Sequence, residues 1–246
     1  MFSIPGVVSQ RHIAENITNY VDTILNDDPA IFLYISGNTL VVNGDWSYPS
    51  GYPILVGENI QYGPSIVRGF QQSLKNTSNS LVSDTASCIK LQATAIAKTE
   101  FQFDGTMEAW IFFDDVAKNN TRPLSLYDHT YFFINGETST HDVRIKDASM
   151  VTASFSYTFA TNTVYHIVFT WGNNVAIVYI NGQVVLNSAY SIIRDVNYNA
   201  GGFILGSGRG GAGRQCIYGS QQCTALYRYP LTSTQVTAHY NAGAIT

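Results

Sequence analysis

The chain has 246 residues, 45% of them hydrophobic, which is enough to bury a large core, and one all-β domain can use most of that length. With 13 basic against 17 acidic residues and a pI near 5.6, it has no general electrostatic attraction for nucleic acid or an anionic membrane. Charged residues make up only 12%, against roughly 25% in an ordinary soluble domain, so Asn, Thr, Ser, Gln and Tyr must make the surface polar, which suits close packing in an assembly or neutral ligands.

The opening MFSIPGVVSQRH has no basic region followed by an apolar run, so it does not read as a secretory signal. No apolar run approaches the roughly 18 residues of a membrane span. The first predicted element is a helix over Val8–Asn26. Ile13, Ile17, Tyr20 and Ile24 recur at spacings of four, three and four, Val21 and Leu25 widen the stripe, and Arg11, Glu15, Asn19 and Asp22 take the other side. It should stop before Asn26-Asp27-Asp28-Pro29. Two heptads are too short to hold a coiled coil alone. The stripe therefore either packs on its own domain or docks on a partner chain, and Ile13, Ile17, Tyr20 and Ile24 are the partner-docking residues in the second case.

Ile31–Ser36 and Leu40–Gly44 flank Gly37-Asn38 and read as a hairpin. An aromatic-rich stretch with Trp46, Tyr48 and Tyr52 follows, so residues 1–59 are expected to form a helix and hairpin arm with a linker, and residues 60–246 the main domain. Within that domain short strands are expected at Ser87–Leu91, Gly105–Phe113, Leu124–Tyr127, Tyr131–Ile134, Val143–Ile145, Ser154–Phe159, Phe203–Leu205 and Ala225–Tyr229, with a closing helical turn at Ser233–Asn241. Strands of this length separated by Gly, Asn and Ser clusters point to a sandwich or jelly roll.

The most readable stretch is VYHIVFTWGNNVAIVYINGQVV (Val164–Val185), two consecutive hairpins turning at Gly172-Asn173-Asn174 and Asn181-Gly182. An Asn-Gly pair between apolar runs favours a type I′ turn, whose central residues both need φ > 0. Val175–Ile180 carries no polar residue, so both faces of that strand should be covered. Cys216 and Cys223 bracket IYGSQQ, a spacing that allows either a bridge closing the loop or two reduced thiols. Zinc-ligand spacing is absent.

Five pieces in order carry a resemblance. Glu108-Ala109-Trp110, the strand from His166 to Trp171, the hairpin from Tyr179 to Gly182, Ile204 to Gly206, and the closing Leu231 to Gly243 with its HYNAG resemble laminin G-like domains of the concanavalin A-like lectin superfamily over roughly Tyr62–Gly243. The resemblance implies an all-β, two-sheet antiparallel jelly-roll sandwich, with Trp110, Phe112, Phe169, Trp171 and Tyr179 filling its core or margins. Where many members carry Ile-Asp-Glu on the last strand, this chain has Cys223-Thr224-Ala225. Calcium wants clustered oxygen ligands, which Asp104, Asp114, Asp115 and Asp128 could still contribute, so the expectation is no cofactor, with calcium as the alternative.

Some superfamily relatives hydrolyse glycans with carboxylates alternating along one strand. Glycoside hydrolysis needs two carboxyls facing one sugar, whereas Glu108 has no acidic neighbour at alternate positions and Asp114-Asp115, if extended, would point to opposite faces. Gly206-Ser207-Gly208-Arg209-Gly210-Gly211 formally matches GxGxxG, but no helical pattern follows, so a dinucleotide fold is not indicated. Neither HExxH nor GxSxG occurs. His166 reads as a structural imidazole satisfied by nearby Thr and backbone groups, and His129 beside Asp128 as a better functional candidate.

Sugar binding needs an aromatic platform and hydroxyl-binding polar groups. Tyr127, Asp128, His129 and Tyr131 in one loop, Tyr190, Asn197 and Tyr198 in another, and Arg209 and Arg214 in the Gly-rich loop supply both types, although the same loops could bury against neighbouring subunits. The expectation is a non-enzymatic structural or decoration protein of an assembly, most plausibly at a virion surface, with a lectin-like sandwich facing outward toward host glycans. Its partners would be other structural proteins and further copies of the chain. A free extracellular carbohydrate-binding adhesion lectin is the alternative.

Overall fold

A computed structural model describes residues 19–36, 39–43, 54–56, 60–76, 89–91, 104–115, 120–126, 130–135, 141–147, 150–189, 203–205 and 217–245. The meander forms as its turns dictate. β12 (Thr163–Gly172) and β13 (Val175–Ile180) join through Asn173 and Asn174 at φ 51° and 60°, and β13 and β14 (Gln183–Ala189) through Asn181 and Gly182 at φ 52° and 76°. All four are left-handed, a conformation that Asn and Gly adopt most readily. The Asn181 side chain is also used, its Oδ1 accepting the His166 N–H at 2.9 Å.

The remaining strands are β1 (Ile31–Ser36), β2 (Thr39–Asn43), β3 (Ile54–Val56), β4 (Ile60–Pro64), β5 (Gln72–Asn76), β6 (Ile89–Leu91), β7 (Gly105–Phe113), β8 (Asn120–Leu126), β9 (Thr130–Asn135), β10 (His141–Asp147), β11 (Met150–Tyr157), β15 (Phe203–Leu205) and β16 (Gly219–Tyr227). They build two antiparallel sheets. One runs β14-β13-β12-β7-β16-β1-β2, with β5 also on β16 and β4 on β5; the other runs β11-β10-β9-β8-β15-β6-β3. This is the expected all-β, two-sheet sandwich.

Alternation along the strands makes two cores rather than one. Met107, Ala109, Ile111 and Phe113 of β7 join Ile167, Phe169 and Trp171 of β12 between the sheets, against Leu124, Ile134 and Ala153 of the second sheet. The other face of the nine-stranded sheet bears Trp110, Val168, Tyr179, Ala225 and Tyr227, and these pack under Tyr20, Ile24, the Ile66–Phe70 segment and Val236. Both faces of β13 are therefore covered, Ala176 and Val178 on one side and Tyr179 on the other. Of the expected core aromatics, Trp110, Phe169, Trp171 and Tyr179 are buried and Phe112 is half-buried.

Part of the arm expected over residues 1–59 lies among the described residues. β1 pairs in register with β16 (Ile31↔Leu226, Leu33↔Thr224), so the hairpin belongs to the same sheet as the domain expected to begin at residue 60. Residues 19–25 are helical, and the side chains of Tyr20 and Ile24, offered above for docking a partner, are fully buried against this chain's own sheet. The physical reason is the bare apolar outer face of β7, β12 and β16, which must be covered by something. Ile13 and Ile17 lie outside the described residues. The closing helix spans Ser233–Gly243, two residues beyond expectation, and starts from a capping box in which the Gln235 N–H donates to Thr232 Oγ1 while Gln235 Oε1 accepts from the Thr232 N–H.

Candidate functional site

The densest polar chemistry among the described residues lies inside the second core. Glu108 projects from the centre of β7 toward the helices and is completely buried. Its Oε1 accepts from His166 Nε2 at 2.9 Å and the Tyr20 hydroxyl at 3.4 Å. Its Oε2 accepts from His239 Nδ1 at 2.9 Å and the Tyr227 hydroxyl at 3.4 Å. His239, on the closing helix, reaches Asp27 Oδ2 with Nε2 at 2.8 Å, so both ring nitrogens face carboxylates. The Tyr20 hydroxyl in turn accepts the Trp110 indole N–H at 2.8 Å.

Burial alone would raise the Glu108 pKa, but the His239 charge and the hydrogen bonds from His166 and His239 reverse this and hold the carboxyl well below its usual range. Burial would lower His239, yet the Glu108 charge and hydrogen bonds to Glu108 and Asp27 leave it raised. Each thus favours the charged form of the other, and the two side chains form an internal salt bridge at 2.9 Å. It pins the sheet, the end of the first helix and the closing helix to one point. His166 departs from expectation: its Nε2 is taken by Glu108 rather than by Thr or backbone, and its Nδ1 is buried with no partner among the described residues.

Glu108, His166 and His239 are all completely buried, away from any exposed surface. Sequence reasoning singled out Glu108 as an isolated acid and missed its role, since His239 lies 131 positions away. The available signal was the pattern itself, with Glu108 and His166 interrupting strands that are otherwise apolar.

Most of the ligand-binding residues expected from sequence lie outside the described residues: Tyr127, Asp128, His129, Tyr198, Arg209 and Arg214, with Tyr190 and Asn197. Tyr131 stands in β9 opposite Ser125 of β8 and Lys146 of β10. Strand register shows which chain ends meet. Leu126, where β8 ends, pairs with Phe203, where β15 begins, so the connections after 126 and before 203 leave the sheet at one end. The chain leaving β15 at Leu205 sets off in the opposite direction, alongside Leu124. Cys223 is a free, buried thiol in the bulge of β16, at φ 51°, and Cys216 lies outside the described residues. No cluster of metal-ligating side chains occurs among the described residues.

A family profile described as the concanavalin A-like lectin/glucanases superfamily matches residues 84–237. The chain belongs to this superfamily. Comparison with curated proteins gives no match. Among solved structures, this lectin-like chain is similar to the binding domain of Paraclostridial Mosquitocidal Protein 1, with a TM-score of 0.60 at 15% identity over 88% of this chain and 52% of that one. The binding domain of Botulinum neurotoxin DC, solved in complex with SialylT, gives 0.60 at 12% identity over 88% and 52%. Trypanosoma rangeli sialidase in complex with sialic acid gives 0.54 at 11% identity over 95% of this chain and 39% of that one. The superfamily member described here thus spans about half or less of the length of these structures, and at such identities the likeness is one of fold.

Proposed function

We propose that the chain is a non-enzymatic carbohydrate-binding module carried on the surface of an assembly, with a virion as its setting. The reading rests chiefly on the lectin-like sandwich, supported by similarity to binding domains, one of them solved in complex with SialylT. The low charge of the chain supports the assembly setting. The buried carboxylate chemistry supports a binding role over hydrolysis, because the acid most central to the fold is committed to an internal ion pair. The similarity to a sialidase makes the enzymatic alternative concrete, and hydrolysis of a fluorogenic sialoside is its direct test. A glycan array probed with the full chain tests binding: the expected result is retention of a defined glycan set, lost in Tyr127→Ala or Tyr198→Ala. An array without signal would overturn the proposal. So would turnover of the sialoside.

A further inference from the structure

The central strands of the nine-stranded sheet, β7, β12, β13 and β16, are covered on both faces, so the outer face of the seven-stranded sheet is where exposed strand chemistry can be sought. Register fixes which residues occupy it. Leu124, Phe132, Ile145 and Ala153 align across β8, β9, β10 and β11, and Leu124 and Ala153 belong to the core between the sheets. One residue along, the alternation of a strand puts positions on the opposite face. That face carries Ser125, Tyr131 and Lys146 in one row, and Phe133, Arg144 and Ser154 in the next. Ser154 and Ser156 are exposed, as this assignment requires. A bulge between Thr121 and Leu124 leaves Arg122 and Pro123 against the single position Phe133.

From this juxtaposition we infer that the Tyr131–Lys146 and Phe133–Arg144 rows form a subsite for a terminal acidic sugar, a pyranose bearing a carboxylate. The inference rests on the carbohydrate-binding reading and names its ligand class. Aromatic residues offer a flat apolar surface to the C–H face of a pyranose. Arg and Lys are the partners of a carboxylate, Arg through two parallel N–H groups. Neighbouring strands lie about 4.8 Å apart and alternate residues of a strand about 6.8 Å apart, so aromatic and cationic positions repeat on the scale of one sugar ring. The charge contrast is local: a chain of net charge −4 with 13 cations in all pairs Arg144 and Lys146 with two aromatic positions. Asp142, one row further on beside Asn135, is the acidic residue of this face and bounds the cationic rows on that side.

The test titrates the full chain with 3′-sialyllactose and with lactose, and repeats both with Arg144→Gln/Lys146→Gln. The expected result is binding of sialyllactose that weakens about tenfold or more in the double variant and in about 0.5 M NaCl, with any lactose binding unchanged in both. Thermal melting confirms that the variant is folded; if it is not, Lys146→Gln alone should still weaken sialyllactose selectively. Equal sialyllactose affinity in wild type and folded variant overturns the inference. Binding of lactose without preference for sialyllactose also overturns it, while leaving the carbohydrate reading intact. Failure to bind either sugar or any array glycan overturns both.

Discussion

Replacing Glu108 with Gln conserves shape and removes the charge that four buried groups share. In the native protein each carboxylate oxygen accepts two bonds, from His166 and Tyr20 on one side and His239 and Tyr227 on the other. An amide turns one of those oxygens into a donor, so whichever way it faces, two donors meet an N–H₂ group and His239 loses its buried counter-charge. Breaking one partner of a buried ion pair costs about 3–5 kcal/mol, which for a chain of this size lowers Tm by about 6–20 °C. Thermal and urea melts followed by circular dichroism would measure it. The pH profile adds a second signature. Glu108 has a lowered pKa, so its contribution is complete above the ordinary value of 4.5 and is lost as pH falls toward the folded value. His239 has a raised pKa, so its contribution is complete below the ordinary value of 6.5 and is lost as pH rises through the folded value. Glu108→Gln should flatten both limbs. A variant melting within about 3 °C of wild type, with both limbs intact, would refute the ion-pair account.

Gly243 ends the closing helix where an added Cβ would lie 2.6 Å from Trp110 and 2.7 Å from Tyr20, so Gly243→Ala should destabilise by about 1–3 kcal/mol in urea melts. Tyr20→Phe strips the Trp110 indole of its acceptor and should cost about 1–3 kcal/mol, with a shift in tryptophan fluorescence marking the changed site. Deleting residues 1–28 removes Tyr20 and Ile24 from the second core and should cost at least about 3 kcal/mol; a sandwich of unchanged stability would refute a packing role for this helix. The Cys223 thiol, buried and with its pKa raised by burial and by the Glu108 charge, should resist alkylation at pH 8 in the native chain and react after unfolding, as peptide mass mapping would show.

What the sequence made legible follows from local physics. Gly105–Phe113 and Phe203–Leu205 end where expected, and the meander turns where Asn and Gly allow φ > 0. β4 and β5 were missed, because IQYGP and QSLKN lack strand-like apolar patterning and β5 gains its place through a short pairing with β16 at Ser220↔Lys75 and Gln221↔Leu74. β16 begins six residues before its expected start. Its polar GSQQCT is wholly buried, made tolerable by side-chain bonds such as the Ile66 N–H donating to Gln222 Oε1 at 2.9 Å and Gln221 Nε2 donating to Thr224 Oγ1 at 3.1 Å. The first of these joins residues 156 positions apart, and no periodicity announces it.

The same distinction decides where a ligand can be sought. The helical stripe with Tyr20 and Ile24 was readable as amphipathic, but its partner was not, because the amphipathic pattern says that a face must be buried and not against what. The structure answers with Trp110, Phe32 and Phe70, so that face of the nine-stranded sheet is spent on the chain's own helices. Its inner face is spent on the second sheet. The outer side of β8, β9 and β10 is therefore where the proposal places recognition, and Tyr131, chosen from sequence as a loop aromatic beside Asp128 and His129, stands on a strand of that sheet paired with Lys146.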